Sequence, residues 1–264
     1  MKKTIKEIVL QKKSEKKITV LTVYDFAFAK ILDSENIDIL LVGDSLGMVM
    51  LGYTSTVPVT MRDMLHHTQA VSRGTSRSLI ITDMPFGSYD TPERALRNAK
   101  RLMKQGGADG VKLEGAFQIE KSISALVQAG IPVMGHIGMT PQTASQLGGY
   151  KVQGKNPEQA EAILKEATLL EKLGVFSIVL ECVPAALAQK ITETVSCPTI
   201  GIGAGVHTDG QVLVLHDMLG FKGAVSPKFV RTFGSLEDSA RQAVSEYREA
   251  VLKQKFPSAK ESFS

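Results

Sequence analysis

Cysteine is scarce in this chain: Cys182 and Cys197 are the only two in 264 residues, with fourteen residues between them. That spacing excludes a disulfide scaffold and a C-x-x-C redox or zinc motif. Long apolar runs are missing as well, since none approaches the roughly 18–20 residues that a membrane helix requires. No secretory leader is recognisable at the start. The expectation is a reduced, soluble, cytoplasmic protein with no membrane partner. An excess of one charge sign is lacking once the charge is located. The net charge is +4, but residues 1–17 hold seven lysines against two glutamates, leaving 24 basic and 25 acidic residues elsewhere. No aromatic residue interleaves with those lysines, so a stacking platform for nucleic acid is absent. The basic start is expected to be solvated surface, with no nucleic-acid partner.

What is present is a large apolar fraction, 43%, arranged in a repeated grammar. Ile39-Leu40-Leu41-Val42 runs into Gly43-Asp44-Ser45-Leu46-Gly47, and Leu79-Ile80-Ile81-Thr82 into Asp83. Val111-Lys112-Leu113 ends in Glu114, Val133-Met134-Gly135 in His136, and Ile178-Val179-Leu180 in Glu181. Continuous apolar runs of this length are strands buried on both faces, as in a parallel sheet covered by helices. Further strands are predicted at 18–23, 198–202 and 212–215. Helices are predicted at 25–35, from Thr60 to Arg73, from Pro92 to Gly106-Gly107, at 117–129, at 157–173, from Pro184, and after Ser235. Thr4-Ile5-Lys6-Glu7 has capping-box spacing, which predicts a short helix in the basic start. Eight strand candidates alternate with helices without a composition break, and a (β/α)8 barrel needs roughly 250 residues. The fold class is therefore α/β, a (β/α)8 TIM barrel in one domain over 1–264. A short basic helix (about 1–17) precedes it and a polar tail (about 256–264) follows. Long connections at 47–60 and 138–156 are candidate loops over a site.

In such barrels the strand ends converge on the C-terminal face, where active sites lie. Asp44, Asp83, Glu114 and Glu181 then share one site, with Lys112 and His136 beside them. Clustered carboxylates raise one another's pKa values, and a divalent cation resolves that conflict. Oxygen-only ligands suit a hard ion such as Mg2+. For any single position a helix cap or Asx turn explains an Asp equally well; four acids on one face are harder to explain as caps. Zinc is not expected, because His66 and His67 are adjacent and face different sides of their helix. Lys112 and Glu114 point to the same side of their strand. Lys112 therefore either holds an anionic group or forms a Schiff base. His136 is either a core histidine or a hydrogen-bonding group near substrate. Cys182 is either a nucleophile or a small buried residue beside Glu181. Gly201-Ile202-Gly203-Ala204-Gly205 reads as a tight turn rather than a phosphate cradle. Gly43 and Gly47 are expected to supply backbone freedom.

Longer blocks carry a family signature. Asp44 to Met48, Asp83 to Tyr89, Val111 to Gly115 and Gly135 to Gln142 resemble the ketopantoate hydroxymethyltransferases. So do Gly148 to Gly154, with Tyr150, and Leu180 to Pro184. Gly201 to Gly220, with Asp209 to Val214, completes a resemblance running from about Thr19 to Arg231. The resemblance implies a barrel of the phosphoenolpyruvate mutase/isocitrate lyase superfamily, assembled as a homodecamer. It implies transfer of a hydroxymethyl group from 5,10-methylenetetrahydrofolate, a co-substrate, to 3-methyl-2-oxobutanoate through a Mg2+-stabilised enolate, in pantothenate and coenzyme A synthesis. By the same motifs, Asp44, Asp83 and Glu114 are metal residues and Glu181 is the base. Asp44, Ser45, Asp83, Lys112 and His136 then face the keto acid. Another Mg2+-dependent keto-acid lyase or mutase of the superfamily is the alternative enzyme, and a catalytically silent metabolite-binding barrel is the alternative outside enzymes.

Overall fold

The apolar runs form eight strands: β1 Ile18–Thr22, β2 Ile39–Val42, β3 Leu79–Asp83, β4 Gly110–Glu114, β5 Val133–Gly138, β6 Ser177–Glu181, β7 Thr199–Ile202 and β8 Gly210–Leu213. Every pairing is parallel and β8 returns to β1, so the sheet closes into the expected barrel. The computed structural model describes residues 2–14, 16–149, 151–221 and 227–263; Tyr150 of the glycine-rich motif lies outside the described residues. Two compact units make up the chain, Met1–Val214 and Leu215–Ser264. The barrel belongs entirely to the first.

Inward side chains fill the barrel, which is a packed core rather than a pore. Val20, Ile39, Leu41, Ile81, Met134, Val179, Ile200 and Val212 pack there, together with Ile8 from the N-terminal helix α1, Ile5–Lys13. Thr4 and Glu7 close the capping box that starts α1. Helices α2 (Phe26–Ser34), α4 (Met61–Gly74), α5 (Pro92–Arg101), α6 (Glu120–Gln128), α7 (Pro157–Leu173) and α8 (Ala185–Thr194) follow the first six strands. The Thr60–Asp63 capping box and Pro157 at the first turn of α7 place those starts where the sequence signals do.

Several boundaries differ from the sequence expectation. The 47–60 connection is not irregular throughout, because it opens on a short helix α3, Leu46–Val49. Strand β5 starts at Val133 but runs on past His136 to Gly138. Strand β8 begins at Gly210, and Leu215 belongs to helix α9, Leu215–Leu219. Gly210 and Gln211 carry no apolar signal, yet they pair with Ile18 and Thr19. Residues 203–209, between β7 and β8, hold no helix. In the second unit, α10 (Leu236–Leu252) follows Ser235 and buries none of its residues. Among the described residues, no helix is long and apolar enough to cross a membrane.

The basic start is not simply solvated. An Asp precedes each of three strands and accepts a backbone N–H from a neighbouring one: Asp38 from Thr19, Asp109 from Ile80 and Asp209 from Thr199, at 2.8 Å each. Lysines of the start pair with these same acids. Lys2 lies 2.6 Å from Asp109, Lys12 lies 3.0 Å from Asp209, and Lys3 pairs with Asp38. The Lys12 ammonium also donates to the Thr192 and Cys197 carbonyls at 2.7 and 3.2 Å. The segment is thus tied across the N-terminal rim of the barrel.

These contacts make Lys12 worth more than its neighbour Lys13, which is exposed. Lys12→Met leaves three acceptors without their donor, and is expected to lower the unfolding free energy by about 1–3 kcal/mol in urea titration. Lys13→Met is expected to change it by less than about 0.5 kcal/mol. Equal effects would contradict the rim assignment.

Candidate active site

Parallel register fixes which residues meet at the C-terminal rim. Asp83 is the last residue of β3 and stands beside Lys112 in β4. Glu114 ends β4 and pairs with His136 in β5. Glu181 ends β6, beside Gly138 and Ile202. Asp44 follows β2 by two residues, and its backbone N–H donates to Asp83 Oδ2 at 3.0 Å. Gly43 and Gly47 matter here for space rather than backbone freedom. A Cβ on Gly43 would stand 2.8 Å from Ser45 Oγ, and one on Gly47 would stand 2.6 Å from Val59. Gly138 needs both, since its φ is +94° and a Cβ would run into the Glu181 carbonyl.

The candidate acids and bases all meet. Lys112 Nζ donates to Asp83 Oδ1 at 2.7 Å and lies 4.0 Å from Glu114 Oε1. His136 bridges two acids, with Nδ1 3.4 Å from Glu114 and Nε2 3.2 Å from Glu181. These are ion-pair separations without hydrogen-bond alignment, so Glu114 Oε1 is a buried acceptor with no hydrogen-bond donor. Ser45 Oγ lies 2.9 Å from the Tyr24 hydroxyl, which itself donates to Thr22 at 2.7 Å. Asp44, Asp83, Lys112, Glu114 and His136 are all buried, while Glu181 and Ser45 are partly open. None of the four acids serves as a helix cap; Ser45, not Asp44, occupies the cap position of α3.

Burial raises the cost of every charge in this cluster, and the partners decide which charges survive. Burial alone would pull Lys112 down, but Asp83, Glu114 and Asp44 outweigh it and hold the ammonium well above its usual value. A lysine so held stays protonated, which removes the free amine that a Schiff base requires. Burial and Lys112 both oppose a proton on His136; Glu114 and Glu181 overcome them and push it up to about 9. His136 is therefore an imidazolium joining two carboxylates rather than a neutral core residue. Burial would also raise Glu114, yet His136, Lys112 and the Gln142 N–H keep it below the ordinary range. Asp44 is different. Burial, then Asp83 and Glu114, push it well above the ordinary value, and its own partner is the neutral Gln142 amide.

Two cationic side chains thus face four carboxylates, and Asp44 is the acid left over. Among the described residues, no three His, Cys, Asp or Glu side chains converge closely enough to cage an ion unaided. Mg2+ requires no such cage, since it keeps several waters and takes one or two carboxylates plus substrate oxygens. Asp44 and Asp83, adjacent and all-oxygen, fit a hard divalent ion, whose charge would relieve the repulsion that raises Asp44.

Several working residues carried no sequence signal of their own. Gln142, in a 3-10 turn at Pro141–Thr143, donates its backbone N–H to Glu114 Oε2 at 2.9 Å and its side-chain amide to Asp44 Oδ2 at 2.8 Å. Tyr89 donates to Gln142 Oε1 at 2.5 Å. His67 reaches the Tyr24 carbonyl at 2.7 Å, so of the two adjacent histidines one does meet a loop. Cys182 has φ +47°, and burial followed by the Glu181 charge pushes its thiol up to about 11. It is half-buried beside the site and protonated at neutral pH, which does not suit a nucleophile. Its alkylation by iodoacetamide is expected to keep rising about tenfold per pH unit from pH 8 to 10, followed by peptide mapping; a plateau below pH 8 would show an activated thiol.

Comparison with known proteins follows the same lines. Residues 2–259 match the family model described as ketopantoate hydroxymethyltransferase. The 3-methyl-2-oxobutanoate hydroxymethyltransferase of Syntrophus aciditrophicus (strain SB) is 53% identical over 253 residues, 96% of this chain and 93% of its own length. That of Carboxydothermus hydrogenoformans (strain ATCC BAA-161 / DSM 6008 / Z-2901) is 52% identical over 262 residues, covering 99% and 95%. Among solved structures, 2,3-dimethylmalate lyase, a PEP mutase/isocitrate lyase superfamily member, aligns with TM-score 0.62 at 14% identity, covering 100% of this chain and 89% of its own. A phosphonopyruvate hydrolase complex with oxalate and Mg++ aligns with TM-score 0.61 at 11% identity, covering 99% and 93%. At such identities the likeness is one of fold.

Proposed function

The chain belongs to the ketopantoate hydroxymethyltransferase family, and from that premise we propose that it moves a hydroxymethyl group from 5,10-methylenetetrahydrofolate to 3-methyl-2-oxobutanoate, yielding ketopantoate for pantothenate synthesis. The observation that carries this reading is the meeting, on one rim, of an acid with no cation of its own, Asp44, and the Asp83–Lys112 ion pair. An α-keto acid presents adjacent keto and carboxylate oxygens, and Asp44, Asp83 and Lys112 together would address both. Asp44 and Asp83 would hold Mg2+, with Glu114 beside it. The ion would supply a Lewis acid for the substrate's oxygens, in line with the Mg++ bound by the phosphonopyruvate hydrolase neighbour.

This chain's own residues do the rest. Lys112, pinned at 2.7 Å by Asp83, places a fixed positive charge where the substrate oxygens gain negative charge. Ser45, whose hydroxyl donates to Tyr24 while Tyr24 donates to Thr22, would turn that hydrogen to the substrate carboxylate. Glu181 is the partly open acid of the cluster, at 12% side-chain exposure, and it takes the C3 proton. His136 holds Glu181 in place at 3.2 Å and limits how much negative charge gathers around the base. Water releases the methylene carbon from both folate nitrogens at the formaldehyde level, leaving tetrahydrofolate; the enolate adds to that carbon, whose oxygen takes the proton held by Glu181 to become the product's hydroxyl. The acids at the rim support enolisation; for the oligomer, a decamer is the proposal.

Incubation with 3-methyl-2-oxobutanoate, Mg2+ and methylenetetrahydrofolate is expected to yield ketopantoate. Glu181→Gln is expected to bind the keto acid while losing about 10²–10⁴-fold in turnover. Cleavage of the keto acid, with no ketopantoate formed, would instead indicate a lyase of the superfamily.

A further inference from the structure

The 138–156 connection does more than border the site: it holds two of the site's acids. Gln142 sits at 4% exposure, deeper than a loop residue ordinarily goes. Its four polar contacts all run to the barrel's rim. The backbone N–H goes to Glu114 Oε2 (2.9 Å), and Nε2 goes to Asp44 Oδ2 (2.8 Å) and to the Met84 carbonyl (2.9 Å). Oε1 accepts from the buried Tyr89 hydroxyl (2.5 Å). Both amide hydrogens and one lone pair of the amide oxygen are used, which fixes the amide's orientation. Tyr89 donates to the amide oxygen, so the nitrogen must face Asp44; the flipped amide would set oxygen against carboxylate oxygen.

We propose that Gln142 is a positioning residue that couples closure of the 139–149 segment to the orientation of Asp44 and Glu114, with Tyr89 fixing its amide. This rests on the reading of Asp44 as a Mg2+ residue. When the segment is docked, both carboxylates are aimed; when it lifts, Asp44 loses its side-chain donor and is free to turn, while Glu114 keeps only His136 and Lys112. The coupling is reciprocal by necessity: what the segment does for Asp44, Asp44 does for the segment.

Two readouts test it. In metal-free protein, deuterium exchange of the 139–149 backbone amides is expected to quicken about tenfold in both Gln142→Ala and Asp44→Ala. Direct titration with Mg2+ alone is expected to show affinity lowered 10–100-fold in Gln142→Ala, as for other partners that orient a metal ligand. Tyr89→Phe, which removes one hydroxyl and keeps the ring, is expected to lower it in the same direction, with KM for the keto acid raised more than kcat is lowered. Segment exchange that does not respond to Asp44→Ala would overturn the coupling. So would Mg2+ affinity unchanged in Gln142→Ala and Tyr89→Phe while kcat falls, which would make Gln142 a group acting on substrate. If the unaltered protein itself takes up no Mg2+, the metal reading fails, and the exchange experiment still decides the coupling.

Discussion

The site depends on one imbalance: four buried or half-buried carboxylates meet only two cations, and the geometry leaves Asp44 as the acid without one. Lys112 is spent on Asp83 and Glu114, and His136 on Glu114 and Glu181. In a dry rim, an unpaired carboxylate either takes a proton or draws in a positive charge. That constraint is why we propose the rim as a receptor for a divalent ion and an α-keto acid, and it gives the surrounding neutral groups their importance. Tyr24, Tyr89 and Gln142 add no charge; they fix the directions of Ser45, Asp44 and Glu114 by hydrogen bonds of 2.5–2.9 Å.

The opposite rim uses the same chemistry for a different end. Asp38, Asp109 and Asp209 each stitch two strands together and each takes a lysine from the N-terminal segment. There the acids are matched one for one with cations, and the outcome is anchoring. At the C-terminal rim they are in excess, and that excess marks the candidate site. This division agrees with the general rule that barrel chemistry lies at the strand C-termini while the other face serves stability.

The barrel and the charged core of the site were legible because their signals are local. A strand buried on both faces must be apolar throughout, so an acid at its end stands out, as Asp83, Glu114 and Glu181 do. Strand β8 was placed late because Gly210-Gln211 lacks that apolar run and is held instead by pairing with Ile18 and Thr19. Gln142 and Tyr89 stand within the family blocks, and Tyr24 beside β1, but the roles of all three were hidden for a related reason. They are neutral residues whose work depends on which acid lies across the barrel, a distance of 98 residues in sequence between Gln142 and Asp44. The anchoring of Lys2, Lys3 and Lys12 was hidden for the same reason, since composition counts charges without showing that Asp109, Asp38 and Asp209 lie opposite them.

If the rim is an enolising site, its chemistry must proceed without the one-carbon donor. The most direct measurement is proton NMR of 3-methyl-2-oxobutanoate in D2O with the protein and Mg2+ but no folate. The account predicts that the C3 methine signal disappears at a catalysed rate and that the methyl doublet collapses as deuterium enters. A C3 proton that stays in place, in protein shown by calorimetry to have bound the keto acid, would contradict it.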